Sequence, residues 1–305
     1  MSKMAGKKRG ASAPKTLPEK GSVPLLGAPP KCLSALNVDF GRELIEYLGG
    51  DPSPIEDDWC WTEFAAEYGE DESLIEGAFE YFRTARDGNP AWAIYRLARH
   101  CGLDAEKAFS AIREIEVGDP AQAISSLACH CGLDVERAFE AIKQIEVGDP
   151  AEAIYYLARD CGLDVERAFE AIKQIEVGNP AYAIYLLGDY CGLGVKRAFE
   201  AIRKIEVGNP ADSIYWLARD CGLGVKRAFE AIRLIKVGNP AYAIYLLADY
   251  CGLDPERALA AIREIKIGNP ARAICLLARH CGLDMEQAIE VLREMPDGEE
   301  YVEIL

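Results

Sequence analysis

The sequence predicts an all-α fold, an α-solenoid of stacked two-helix repeats with a 30-residue period. The first observation behind this prediction is internal repetition, which marks arrays of small structural units. The second is the helical spacing of apolar residues inside each unit. The stretch GNPAYAIYLL occupies residues 178–187 and returns letter for letter at 238–247. Cysteines mark the same period at residues 101, 131, 161, 191, 221, 251 and 281.

Each repeat carries signals for two helices, as the unit that begins at Asp149 illustrates. Asp149 is a good N-cap, and Pro150 is tolerated at the first helical position because its missing N–H would be unpaired there anyway. Gly162 can adopt the left-handed conformation that ends a helix, Asp164 caps the second helix, and Gly178 ends it. We expect both helices to have about 12–13 residues. The apolar stripe of the second helix lies at Val165, Ala168, Phe169, Ile172 and Ile175.

The chain divides by composition and by the clarity of the repeat into four segments. Because end units of a stacked array have no neighbour to cover one apolar face, we expect them to differ from the internal ones. We predict about seven helical hairpins in the array. The segments are a disordered basic tail at 1–30, a divergent helical N-terminal cap at 31–88, regular helical-hairpin repeats at 89–283, and a C-terminal capping helix with an acidic tail at 284–305.

The charge of the chain limits the classes of partner. The chain has 34 Lys and Arg residues and 50 Asp and Glu residues, which gives a net charge of −16. Nucleic acids and anionic membrane surfaces require a basic face, so we expect neither as a partner. Basic or neutral partners fit the charge better. The sequence has no apolar run of about 18 residues, so we expect no membrane span.

The cysteines predict reduced thiols in an intracellular, cytoplasmic protein. One cysteine every thirty residues is not the pattern of a disulfide framework. Cysteines of adjacent repeats should lie about 10 Å apart, which is too far for a shared zinc ion or a disulfide, so we expect them to be small core residues. The basic residues near Met1 precede no apolar run, so we expect no secretory signal. Lys7-Lys8-Arg9 leaves a nuclear location as the alternative.

We find no sequence motif that is typical of a catalytic, phosphate-binding or metal-binding site. We find no Ser/His/Asp set, no glycine-rich phosphate loop and no His-Glu-x-x-His helix. Cys129, His130 and Cys131 are the closest set of ligand types, but adjacent helical positions do not share a face. The sequence therefore predicts no enzymatic activity, no metal site and no cofactor.

The repeat resembles the tetratricopeptide motif. Ile184-x-x-Leu187-Gly188-x-x-Cys191, followed by Ala198, Ile202, Ile205 and Pro210, follows the helix pattern of that family in a shorter unit. It is also similar to short HEAT-type repeats, which share the Asp-Pro helix start. What these families imply is a scaffold that holds a peptide or protein in a concave groove lined by the first helices.

The candidate groove residues lie where the first helices differ from repeat to repeat. Tyr and Trp are common interface anchors, and interleaved Arg and Asp could fix the register of a polar partner. Two interpretations stay open for the tyrosines at positions equivalent to 155: they contact a ligand, or they pack between repeats. The candidate residues are Trp92, Tyr95, Tyr155, Tyr156, Arg159, Tyr182, Tyr185, Asp189, Tyr215, Trp216, Arg219, Tyr242, Tyr245 and Asp249.

The function that we predict from these observations is a non-enzymatic, monomeric scaffold that binds a protein or peptide segment along a Tyr-lined groove. One alternative is a structural spacer or self-assembling repeat protein, which would need an apolar, uncapped end. Another is an acidic DNA mimic that occupies a basic protein, whose binding would fall steeply with salt. An enzyme would need an ionisable cluster confined to one repeat.

Overall fold

The computed structural model describes residues 72–296 and 298–305, together with 41–42, 46 and 53. The predicted tail at 1–30 and most of the predicted cap at 31–88 lie outside the described residues. From residue 72 onward the described chain forms sixteen helices and no strand, and the helices pack with the expected period. The prediction of an all-α solenoid of two-helix repeats is confirmed.

The chain divides into two compact units, and the first covers residues 1–115. Its described helices are α1 (Glu72–Thr84), α2 (Pro90–Cys101) and α3 (Ala105–Ile112), and α2 packs on both of the others.

The second unit, residues 116–305, contains six hairpins and a last short helix. Each first helix packs on the first helix of the next repeat and on the second helices beside it. The first helices are α4 (Pro120–Cys131), α6 (Pro150–Asp160), α8 (Pro180–Tyr190), α10 (Pro210–Asp220), α12 (Pro240–Cys251) and α14 (Pro270–His280). The second helices are α5 (Val135–Ile142), α7 (Val165–Ile172), α9 (Val195–Ile202), α11 (Val225–Ile232), α13 (Pro255–Glu264) and α15 (Met285–Arg293). The last helix, α16 (Gly298–Val302), packs on α14 and α15.

The predicted helix caps are present. The Asp149 side chain accepts a hydrogen bond from the backbone N–H of Glu152 at 3.0 Å. Gly162 has a φ of 76°, and Leu163 behind it donates its N–H to the carbonyl of Leu157 at 3.1 Å. These bonds satisfy backbone groups that a helix end leaves unpaired, so the cap residues determine where each helix begins and ends.

The second helices are shorter than predicted. Helix α7 has 8 residues, and Ile175, which we assigned to its apolar stripe, lies beyond its end. The N–H of Ile175 bonds to the carbonyl of Ile172 three residues earlier, at 3.2 Å. Such i→i−3 bonds tighten the last turn and end the α-helix early.

The Asn or Asp before each proline also links adjacent repeats. The N–H of Asn179 donates to Asp149 Oδ2 at 3.0 Å, and the N–H of Asn209 donates to Asn179 Oδ1 at 3.2 Å. The glycine before each cap lies against the same side chain: a Cβ on Gly178 would lie 2.7 Å from Asp149 Oδ1 and 2.9 Å from its Cα. The residues that both precede a first helix and contact the next repeat in this way are Asp119, Asp149, Asn179, Asn209 and Asn239.

Long basic side chains bridge successive second helices. Arg167 pairs with Glu136 of the preceding repeat at 2.8 Å, and its guanidinium lies over the ring of Phe139 at 5.0 Å. Arg263 pairs with Glu294 of the following repeat at 2.9 Å. These groups are about half-exposed, so each ion pair contributes only tenths of a kcal/mol.

The prediction that all these cysteines are reduced thiols is wrong for Cys129 and Cys161, which form a disulfide between α4 and α6. Their Cα atoms are 5.4 Å apart, within the range that a disulfide requires. The expected distance of about 10 Å was that between two cysteines at equivalent positions of adjacent repeats, such as Cys131 and Cys161. Cys129 lies two residues before Cys131 and is close enough to bond to Cys161 of the next repeat. The periodic cysteines are half-buried rather than core residues.

None of the helices between residues 72 and 305 combines the length and the apolarity that crossing a bilayer requires.

Candidate interaction face

The predicted tyrosine column is buried. Tyr155 and Tyr215 are each 1% exposed, and Tyr185 and Tyr245 are 5% and 7% exposed. In the first unit Tyr95 is likewise buried. Successive first helices lie directly against each other, so the rings at this position pack between neighbouring repeats. Of the two interpretations left open by the sequence, the burial of these tyrosine rings supports packing between repeats.

Arg-type repeats are those in which an arginine follows the buried tyrosine by one turn. In α6, Arg159 donates from Nη1 to the Tyr155 hydroxyl at 2.9 Å and pairs with Asp160 at 2.7 Å. Its guanidinium lies 4.7 Å from the centre of the Tyr156 ring. The arrangement returns in α10, where Arg219 pairs with Asp220 at 2.7 Å and lies 3.8 Å from the centre of the Trp216 ring.

Asp-type repeats, those of α8 and α12, carry an aspartate where the Arg-type repeats have the arginine. Asp249 accepts a hydrogen bond from the Tyr245 hydroxyl at 3.2 Å. Asp189 instead accepts from the thiol of Cys221 in the next repeat at 3.5 Å. The Tyr185 hydroxyl donates across to Asp220 at 2.9 Å. Arg-type and Asp-type repeats alternate, which gives this surface a 60-residue period.

Burial and neighbouring carboxylates keep the hydroxyl and thiol donors of this surface protonated. Burial, with the charge of Glu152 second, raises the pKa of Tyr156 to about 12. Burial and a hydrogen bond to Asp220 raise the pKa of Tyr185 still further. Burial and the nearby Asp189 raise the pKa of Cys221 to about 12. At neutral pH these groups therefore act as neutral hydrogen-bond donors.

Tyr190 and Tyr250 are the most exposed aromatic side chains among the described residues. Each is 63% exposed and lies in the last turn of an Asp-type first helix. The Tyr190 ring lies 6.4 Å from the Tyr155 ring of the preceding repeat, and Tyr250 lies 6.4 Å from Tyr215 in the same way. The sequence reasoning missed both. The signal that could have found them is an aromatic residue at a position where the other repeats have His or Asp.

These side chains form one surface, which we call the tyrosine face: the exposed and half-exposed aromatic and charged side chains of α6, α8, α10 and α12. Between α8 and α10 it contains an open hollow of about 350 Å³, which we call the central depression. Helix α8 contributes Tyr182, Tyr185, Leu186, Asp189 and Tyr190 to its lining. Helix α10 contributes Trp216, Arg219 and Asp220.

The predicted residues are distributed over this surface unevenly. The central depression brings together five of them, namely Tyr182, Tyr185, Asp189, Trp216 and Arg219. Tyr155, Tyr156 and Arg159 form the Arg-type set of α6, and Tyr242, Tyr245 and Asp249 form the Asp-type set of α12. Trp92 and Tyr95 belong to the first unit, where their rings are 4.9 Å apart.

Asp212, in the first turn of α10, is a half-buried residue with an unsatisfied carboxylate oxygen. Its Oδ2 accepts from the side-chain amide of Asn209, but its Oδ1 is buried and has no hydrogen-bond partner. Burial raises the pKa of Asp212 to about 6, because the charged form has lost its water. Among the described residues, no group of three His, Cys, Asp or Glu side chains is placed to hold a metal ion.

In comparisons with protein-family models, curated proteins and solved structures, nothing matches this chain. The resemblance to tetratricopeptide and HEAT repeats therefore stays a prediction, carried by the residues quoted above.

Proposed function

We propose that the chain is a non-enzymatic scaffold that binds a segment of a partner protein or a peptide along the tyrosine face. The observation that carries this proposal is the pair of exposed rings, Tyr190 and Tyr250, in equivalent positions sixty residues apart. Five large apolar or aromatic side chains are strongly exposed among the described residues, and two of them recur in register on this one face. Exposed aromatic side chains in an ordered array are typical of interaction surfaces.

The buried tyrosines support the face without being its contact surface. They hold neighbouring first helices together, and their hydroxyls orient Arg159, Arg219 and Asp220 at the surface. Preorganised side chains lose less entropy when a partner binds, which favours affinity. We therefore assign contact with the partner to the exposed and half-exposed rings and charges.

The proposal includes a cytoplasmic location. Cys191, Cys221, Cys251, Cys275 and Cys281 are free thiols, which supports a reducing compartment. The Cys129–Cys161 bridge is the observation against it.

A peptide-display selection tests the proposed function. Random peptides would be selected on the intact chain, and their affinities would be measured on two variants. The face variant carries Tyr182→Gln, Tyr190→His and Trp216→Leu. Each substituted residue already occurs at the equivalent position of another repeat, namely Gln122, His130 and Leu246. The control variant, Leu234→Ser, removes a side chain that is 69% exposed and lies beyond the end of α11.

We expect peptides that bind the intact chain and the control variant equally and lose at least about tenfold in affinity on the face variant. Circular dichroism should show equal helix content in all three proteins. The proposal would be contradicted if the selected peptides bound the face variant and the intact chain with equal affinity. It would also be contradicted if the selection yielded no binding peptide.

A further inference from the structure

The Arg-type repeats show what the rings of this face bind. Arg219 stacks on Trp216 with its guanidinium 3.8 Å from the ring centre, and Arg159 stacks on Tyr156 at 4.7 Å. Attraction between a cation and the face of an aromatic ring is worth roughly 0.5–2 kcal/mol, depending on exposure. In each case a carboxylate, Asp220 or Asp160, completes the charge balance. The repeating unit of the Arg-type surface is thus ring, guanidinium and carboxylate.

The Asp-type repeats also contain a ring and a carboxylate, but at other positions. Leu186 and Leu246 replace the rings that the arginines cover. The exposed tyrosines stand where the Arg-type repeats have Asp160 and Asp220. Asp189 and Asp249 occupy the positions of the arginines, and within the described residues neither forms an ion pair. The rings of Tyr190 and Tyr250 have no cation over them in the same part of the chain. Each Asp-type repeat therefore presents an exposed ring and a carboxylate that forms no ion pair among the described residues.

We propose that each Asp-type repeat binds a lysine or arginine side chain of an extended basic segment in a partner protein. Asp189 supplies the opposite charge in the central depression, and Tyr190 supplies a ring on which the cation stacks. Asp249 and Tyr250 form the second subsite. The partner's cation thus supplies the positive charge that Arg159 and Arg219 supply in the alternate repeats. This inference rests on the proposed function and names the chemistry of its partner.

The spacing of the two subsites specifies the partner further. Adjacent packed helices lie about 8–10 Å apart, so the subsites on α8 and α12, two repeats apart, are separated by roughly 16–20 Å. An extended chain advances about 3.3 Å per residue and covers this distance in roughly five to six residues. The partner segment should carry two basic residues at that separation.

The two subsites are not equivalent. Trp216 from the following repeat lines the first one, whereas Leu276 stands at the corresponding position after α12. Asp249 also shares its carboxylate with the Tyr245 hydroxyl, whereas Asp189 accepts only from a thiol. The subsite in the central depression should therefore contribute more to binding than the one at Asp249.

Synthetic peptides test this inference. The probe is a Gly/Ser peptide with two arginines about six residues apart, measured by fluorescence anisotropy at about 0.05 M and 0.15 M salt. One comparison peptide has both arginines replaced by citrulline, which keeps the shape and removes the charge. A second has the arginines about three residues apart. The protein variants are Asp189→Asn, Asp249→Asn and, as a control for net charge, Glu206→Gln at an exposed carboxylate between α9 and α10.

We expect the citrulline peptide and the close-spaced peptide to bind at least about fivefold more weakly than the probe. Asp189→Asn should weaken binding about tenfold, Asp249→Asn less, and Glu206→Gln by less than about twofold. In Asp249→Asn the preference for the wider spacing should disappear, because only one subsite remains.

Equal binding of the citrulline peptide, or equal losses in Glu206→Gln and Asp189→Asn, would overturn the inference. If peptides selected by display are neutral and still lose affinity on the face variant, the scaffold function stands and this inference fails. If the chain sediments as a dimer at about 0.1 mM and Asp189→Asn abolishes the dimer, the occupant is a second copy of the chain, which also overturns it.

Discussion

At the scale of single residues, the tyrosine face depends on a few residues that alternate between otherwise similar repeats. An arginine after the buried tyrosine gives a ring already covered by a cation, as at Arg219 over Trp216. An aspartate at the same position gives a carboxylate without an ion-pair partner among the described residues, as at Asp189. This alternation, together with that of Asp160 and Tyr190 at the next position, produces the 60-residue period of the surface on a 30-residue scaffold.

Asp212 makes the stability of the chain depend on pH. Its pKa in the folded chain is about 6, above its ordinary value of 3.8, so folding favours the protonated carboxyl. That contribution is complete below about pH 4 and is lost as the pH rises through about 6. Asp212→Asn cannot ionise, so we expect it to exceed the unmodified chain in free energy of unfolding by about 3 kcal/mol at pH 8 and by little at pH 4.

Urea unfolding at both pH values, followed by circular dichroism, measures this difference. Asp189→Asn, at an exposed aspartate of the same face, is the matched control. A gain of the same size at pH 4 and pH 8 would show that ionisation of Asp212 is not its cause.

At the scale of helices and repeats, glycines with the same backbone conformation have different neighbours. Gly162 and Gly178 have φ values of 76° and 71°. A Cβ on Gly162 would meet no atom within 4 Å, whereas one on Gly178 would meet Asp149 of the preceding repeat, its backbone included. We expect Gly162→Ala to cost about 1 kcal/mol of stability from backbone strain alone. Gly178→Ala should cost about 2–4 kcal/mol, because the contact between repeats must also shift.

Chemical unfolding of the two variants under identical conditions gives both values. Equal costs would mean that the cap contact between repeats does not constrain Gly178.

The Cys129–Cys161 disulfide fastens α4 to α6. A bridge that closes a loop of this length typically stabilises a fold by about 3 kcal/mol. We expect Cys129→Ser to lower the thermal midpoint of the oxidised protein by several degrees, and Cys191→Ser, at a free thiol, to leave it nearly unchanged. Under reducing conditions the difference between the variants should vanish. A peptide map without a cross-link between these residues would remove the basis of this prediction.

The elements were predictable from sequence because their signals are local. Asp149, Gly162 and Asp164 act on backbone groups within a few residues, so their roles follow from spacing alone. The contacts between repeats were not predictable in the same way. Tyr155 has the same helical spacing whether it packs or lines a groove, and its burial results from the packing of α6 against neighbouring helices. Tyr190 lies 35 residues from the tyrosine that it covers, a separation that no local pattern reveals.

At the scale of the whole molecule, the end of the second unit bears on the self-assembly alternative. Helix α16 covers part of α14, and Asn269 donates its side-chain amide to the Tyr301 hydroxyl at 3.0 Å. An open stack that grows by end-to-end addition needs an uncovered apolar repeat, whereas α16 covers part of the last repeat. The tyrosine face recurs along the array and remains exposed, which supports binding of a partner along it.

Protection of Tyr190 and Tyr250 from nitration tests the central claim most directly. The intact chain would be treated with tetranitromethane with and without a peptide selected by display, and the modified tyrosines would be quantified by mass spectrometry. Tyr301, on α16, serves as the internal reference. The account predicts that the peptide slows nitration of Tyr190 and Tyr250 severalfold and leaves Tyr301 unchanged. Unchanged nitration of Tyr190 and Tyr250 by a peptide that is fully bound would contradict it, since the partner would then occupy another surface.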